Sequence, residues 1–98
     1  MTVRFSPAAR ADLLEIASYI AADNAVRAAT FVDGLEEKCN ALGRAPGIGT
    51  RRPELGKGIL ALAAGRYLIF YREQDGHIRV ERILHGSRDI GASDLGAT

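Results

Sequence analysis

Two amphipathic stripes, separated only by Asp23-Asn24, constrain what this chain can fold into more than any other feature. From Pro7 to about Asp23, Leu13, Ile16 and Ile20 fall with Ala9 and Ala17 at three- and four-residue spacing, while Arg10, Asp12 and Glu15 lie off that line. That is the period of a helix with one buried face. Ser6-Pro7 ahead of it suits an N-cap followed by the first helical position. The pattern resumes through Ala28, Phe31, Val32, Leu35, Cys39 and Leu42, and Gly43 is the expected C′ residue that ends it. Joined so tightly, the helices must run antiparallel and turn both stripes towards a shared third layer.

That layer is expected to be a sheet. Thr2–Phe5 alternates, with Val3 and Phe5 on one face, and reads as a first strand. Residues 44–58 hold four of the eleven glycines and two of the three prolines, which disfavours both helix and ladder and predicts a loop. Ile59–Ala63, Tyr67–Arg72 and Ile78–Leu84 are strand-length apolar runs separated by Ala64-Gly65-Arg66 and Gln74-Asp75-Gly76, the pattern of a meander. Leu68 to Tyr71 is unbroken, so the middle strand should bury both faces, whereas Ile78 and Val80 alternate with Arg79 and Glu81. The expected class is α+β, with an N-terminal strand and an antiparallel helical hairpin packed on a small, mainly antiparallel sheet ending in a three-strand meander. Ninety-eight residues enclose one core, so residues 1–91 read as a single domain. Residues 92–98, without apolar period, read as a frayed tail.

A single cysteine, Cys39, forms no internal disulfide, and no Cys/His set has zinc spacing. Cys39 lies on the second apolar stripe and reads as packing. MTVRFSPAAR lacks the apolar core of a signal peptide, and no apolar run approaches the roughly 18 residues that span a bilayer. A cytoplasmic protein without membrane contact is expected. The glycines of GIGT and GKG do not open a helix as a phosphate loop does, so no cofactor or metal is expected.

The formal charge of +1 hides an uneven distribution. Residues 1–43 carry four basic and six acidic side chains, and residues 44–88 carry nine basic and four acidic. Eight of those nine are arginine, which grips carboxylate or phosphate bidentately, so this half could hold an acidic partner or nucleic acid, although strand arginines also serve as solvated edge guards. Arg51 and Arg52 sit in the long loop, where binding residues concentrate. Arg66, Tyr67, Tyr71 and Arg72 cluster on the middle strand, with the tyrosines on one face and the arginines on the other, a mixture that stacks bases or fills a core. Arg79 and Arg82 follow on the last strand, and His85-Gly86-Ser87-Arg88-Asp89 closes it. There His85 and Arg88 read either as contact groups or as parts of the turn. No nucleophile accompanies His85, so no catalytic residue is assigned.

The order of elements, together with RRPEL at 51–55, GRYLIFYR at 65–72 and LHGSRD at 84–89, resembles the ParE toxins of the RelE/ParE superfamily across residues 3–90. The helical DLLEIASYIA at 12–21 is also similar. One departure is Gly58-Ile59-Leu60, where many relatives carry an arginine soon after the glycine. The resemblance implies the toxin of a type II toxin-antitoxin pair that inhibits DNA gyrase by protein contact and stabilises its cleaved-DNA complex. It implies neutralisation by a ParD-like antitoxin in a hetero-oligomer, with no sequence-specific nucleic-acid binding. The superfamily leaves two other readings open: a ribosome-dependent messenger RNA endonuclease like RelE, and a nontoxic relative.

Overall fold

The N-terminal strand β1 (Val3–Phe5) hands directly to helix α1 (Pro7–Asp23) through Ser6. Ser6 Oγ accepts from the Ala9 amide at 3.0 Å and donates to the Glu81 carbonyl at 2.8 Å, so one hydroxyl caps the helix and ties it to the sheet. Asn24 then serves two helices. Its amide donates to the Ile20 carbonyl at 2.8 Å, closing α1, and its side chain accepts from the Arg27 amide at 3.1 Å, opening α2 (Ala25–Arg44). These contacts come from a computed structural model that describes residues 1–96.

After the helical hairpin come strands β2 (Thr50–Arg51), β3 (Leu60–Ala64), β4 (Tyr67–Gln74) and β5 (His77–His85). The five-stranded sheet has the order β1-β5-β4-β3-β2, antiparallel except where β1 runs parallel to β5, with Val3 opposite Ile78 and Phe5 opposite Val80. The α+β architecture and the meander are as the apolar patterning required. A bulge interrupts the central pair: Phe70 faces Arg82 and Tyr71 faces Val80, leaving Glu81 as the extra residue.

Both faces of β4 are covered, as its unbroken apolar run demands. Ile69 and Tyr71 join Ala9, Leu35, Cys39, Leu42, Ile78, Val80 and Ile83 in the core under the helices. Phe70 faces the other way, into a smaller cluster of Leu55, Ile59, Ala61, Leu84 and Leu95.

Three expectations are corrected. Gly43 does not end α2, which continues to Arg44 with Ala45 as its cap. Gly43 is instead a point of close approach, where a Cβ would stand 2.6 Å from the Met1 carbonyl oxygen. Residues 44–58 are not wholly loop. Two 3-10 turns, Pro46–Ile48 and Pro53–Leu55, flank β2, which pairs with Leu60 and Ala61 as a minimal edge strand. The tail is ordered through residue 96: Ala92–Leu95 forms a 3-10 turn and Leu95 is 4% exposed. A single leucine suffices because the outer sheet face supplies the remaining apolar surface. The end of that expected tail, residues 97–98, lies outside the described residues.

Candidate functional site

Most of the arginines in the basic half are held by carboxylates of the same chain. Arg82 Nε and Nη2 donate to the two oxygens of Asp12 at 2.7 and 2.9 Å, and Nη1 donates to the Asp94 carbonyl at 2.7 Å. The hydrogen bond with Asp12 holds the Arg82 guanidinium above its usual basicity. The contact sits where β1 has ended, and β5 borrows α1 in its place: Asp12 Oδ2 also accepts the Ile83 amide at 3.0 Å. Arg72 and Arg79 share Glu81, each Nε lying 2.9 Å from one of its oxygens, and Arg72 Nη1 donates to the Lys57 carbonyl at 3.2 Å. The bulge turns Glu81 to this position between two arginines. Arg88 Nη2 donates to Asp94 Oδ1 at 2.6 Å, while Asp94 Oδ2 accepts the Gly91 amide at 2.9 Å. Arg52 donates to Glu54 at 2.7 Å, which holds the Glu54 carboxyl below its ordinary value, and its guanidinium lies 6.0 Å from the Phe70 ring centre.

The expectation of a broadly basic sheet is therefore reduced to fewer groups. Among the described residues, Arg51 and Arg66 are the candidate arginines without a carboxylate partner. Arg51 lies on β2, beside a hollow of about 410 Å³ next to Tyr71.

Tyr71 is corrected as a contact candidate, because it is fully buried. Its hydroxyl donates to the Pro46 carbonyl at 2.7 Å and accepts the Gly49 amide at 2.9 Å, fastening the long loop to the core. Burial raises its phenol above the ordinary value against the opposing Gly49 hydrogen bond. Tyr67 shares the helix-side face with Tyr71, as alternation requires. Arg66 does not lie on the strand opposite to it. It occupies the β3–β4 turn, and its carbonyl accepts the Gly86 amide at 2.8 Å.

Tyr67, Arg66 and His85 come together at one end of the sheet. The Tyr67 ring meets Phe31 of α2 and His85 of β5 edge to face, each pair of ring centres 5.2 Å apart. His85 is exposed, and its Nδ1 lies 3.1 Å from the Ser87 amide and 2.7 Å from Ser87 Oγ. The Ser87 amide donates to Nδ1, so the ring is tied to the turn that follows β5. These residues form one wall of a groove of about 890 Å³ whose other wall is the bend of the hairpin, with Tyr19, Asp23 and Arg27. Sequence reasoning missed Tyr19 and Arg27 because both were absorbed into helical pattern. The available signal was that Tyr19 stands off the Leu13-Ile16-Ile20 stripe, and it is 78% exposed. Asp12 was missed as well, since its partner lies 70 residues away.

Among the described residues no group of three His, Cys, Asp or Glu side chains could hold a metal ion, and no helix is long and apolar enough to cross a membrane. The Cys39 thiol is pushed up from 9.0 to about 11, mainly by burial and further by Glu36.

The fold is shared with solved toxin-antitoxin proteins. A chain of the chromosomal ParDE toxin-antitoxin system from P. aeruginosa superposes with a TM-score of 0.73 at 23% identity, covering 87% of this chain and 95% of that one. A chain of the toxin-antitoxin complex RelBE2 from Mycobacterium tuberculosis gives a TM-score of 0.60 at 29% identity, covering 86% and 95%. No curated protein matches the chain. The family model for the ParE toxin of the type II toxin-antitoxin system parDE matches residues 3–90, which takes in every strand and both helices of the sheet-and-hairpin unit, and the chain belongs to that family.

Proposed function

We propose that this ParE-family toxin inhibits DNA gyrase by protein contact, stabilises the enzyme's cleaved-DNA complex, and is neutralised by a ParD-like antitoxin. The observation that carries the reading is the internal pairing of Arg82 with Asp12 and of Arg88 with Asp94 at the end of β5. A RelE-like ribonuclease needs free cations and an acid-base pair around the scissile phosphate. Here Arg82 and Arg88 are committed to the chain's own carboxylates, which leaves Arg27 and Arg66 as the cations beside His85 and reduces the set such cleavage would draw on.

Both solved relatives belong to toxin-antitoxin systems, which supports an antitoxin partner. We place its seat beside β1. This strand is at the sheet edge, and a groove of about 750 Å³ beside it is lined by Val3, Phe5, Leu13 and Leu14, with Arg4, Arg10 and Arg79 among its basic residues and Glu36 as its acidic one. An open strand edge, an apolar wall and surplus positive charge suit an acidic, amphipathic segment that orders on binding.

Purified chain added to gyrase, plasmid and ATP is expected to abolish supercoiling and accumulate cleaved, protein-linked DNA. Intact plasmid and normal supercoiling at large excess would overturn the gyrase reading, and cleaved messenger RNA on translating ribosomes would replace it with the RelE one. The antitoxin is expected to co-purify with the wild-type chain and to be lost from an Arg4→Glu, Arg10→Glu variant. Retention by that variant removes the β1 edge as the seat.

A further inference from the structure

The groove at the hairpin bend holds three of the chain's six aromatic residues, Tyr19, Phe31 and Tyr67, together with His85 and two arginines, Arg27 and Arg66. Neither arginine has a carboxylate partner in the described structure, although Asp23 lines the same groove. Arg4, Arg10, Arg44 and Arg51 also lack a carboxylate partner in the described structure, so what marks Arg27 and Arg66 is their place in one groove beside aromatic rings.

We infer that this groove binds a short stretch of single-stranded nucleic acid, with bases against the Tyr19, Tyr67 and His85 rings and phosphates at Arg27 and Arg66. The inference rests on the toxin reading only for its biological setting, a cleaved-DNA complex. The binding chemistry stands on the groove.

Three features favour a nucleic-acid strand over a peptide. First, β4 is paired on both sides here, Tyr67 facing Ala64 on β3 and His85 on β5, so no open backbone edge remains for a peptide to extend the sheet. Recognition must come from side chains. Second, the side chains present are planar rings and guanidinium groups, the set that takes base faces and phosphates without reading sequence. Third, the Phe31–Tyr67–His85 edge-to-face series fixes the ring planes in advance, and the Ser87 contacts to Nδ1 hold the imidazole, so little rotamer freedom is lost on stacking. At about 890 Å³ the groove is of the size that takes a ligand of one or two nucleotides. The inferred activity is binding alone.

The test uses the purified full chain and a fluorescein-labelled oligothymidylate of about 12 nucleotides, read by anisotropy over a salt series. Wild-type chain is expected to bind at low salt. Tyr19→Ala, whose side chain is largely exposed, is expected to weaken binding by about fivefold or more. Arg66→Ala is expected to weaken binding and to reduce the slope of log affinity against log salt by about 0.7, the value for one lost phosphate contact on a single strand. Arg44→Ala removes one positive charge away from the groove and is expected to leave binding within about twofold. Absence of binding at low salt overturns the inference. An Arg44→Ala loss equal to that of Arg66→Ala overturns it too, since binding then follows net charge. Displacement of the oligonucleotide by polyglutamate at equal charge concentration assigns the groove to an acidic protein segment instead. Gyrase inhibition by the same variants separates the two readings: inhibition without oligonucleotide binding removes the groove and leaves the toxin intact, and binding without inhibition does the reverse.

Discussion

Asp12 and Arg82, 70 residues apart, meet through both oxygens of one and two nitrogens of the other, at 2.7 and 2.9 Å. Their side chains are 12% and 21% exposed, so the pair is neither freely solvated nor fully enclosed. Asp12→Ala leaves the Arg82 guanidinium and the Ile83 amide without this acceptor. Loss of one partner from a half-buried bidentate pair is expected to cost about 2 kcal/mol, read as a lower urea midpoint with an unchanged m-value. A change below about 0.5 kcal/mol would place the pair with ordinary surface ion pairs.

The loop anchor at Tyr71 gives two further variants with different signatures. Tyr71→Phe keeps the ring in the core and strands the Pro46 carbonyl and the Gly49 amide, at an expected cost of about 1–2 kcal/mol. Proteolysis is expected to begin within residues 46–58. Gly49→Ala has an ordinary backbone, φ −76°, but its Cβ would stand 2.5 Å from the Tyr71 hydroxyl and 2.9 Å from the Ala61 carbonyl. Overpacking against a buried ring and a strand carbonyl is expected to cost about 1–3 kcal/mol. A neutral Gly49→Ala in thermal melts would show that the loop relaxes freely.

Stability is expected to fall in alkali. The Cys39 thiol keeps its proton up to about 11 in the folded chain against 9.0 for an ordinary thiol, because burial disfavours the thiolate. Between those values the unfolded state has released the proton and the folded state has not. The free energy of unfolding therefore declines as pH rises through that window and is unaffected by Cys39 below it. Tyr71 acts in the same direction from its own ordinary value upward. Urea midpoints from about pH 8 to about pH 11 check this, and Cys39→Ala is expected to show a shallower decline over that range.

The C-terminal turn is expected to be structural. Leu95→Ala uncovers the outer cluster of Leu55, Ile59, Phe70 and Leu84 and should cost about 2 kcal/mol. Removal of residues 92–98 is expected to raise binding of a hydrophobic dye while the helical signal is retained. Equal dye binding by the full and shortened chains would refute the covering role.

The helical hairpin and the meander were legible because each rests on a local period: the Leu13-Ile16-Ile20 stripe, the capping residues Ser6 and Asn24, the unbroken Leu68–Tyr71. What sequence could not show depends on partners distant along the chain. Arg82 reads only as a strand arginine, and Arg88 only as a contact or turn group, until Asp12 and Asp94 are placed beside them. Leu95 looks isolated until Leu55, Ile59 and Leu84 surround it. The groove escaped for the same reason, since Tyr19, Arg27, Arg66 and His85 come from the hairpin bend, a turn and a strand end.

The parallel pairing of β1 with β5 has a consequence for the newborn chain. Val3 to Phe5 find their neighbours only at Ile78 to Val80, and the Ser6 hydroxyl finds its acceptor only at Glu81. On the ribosome the first strand and the start of α1 must wait, unpaired, until residues 78–81 have left the exit tunnel. The hairpin and its apolar stripes can form early, but the sheet edge closes only after β5 has emerged. A truncated product that stops before Ile78 therefore cannot complete the sheet.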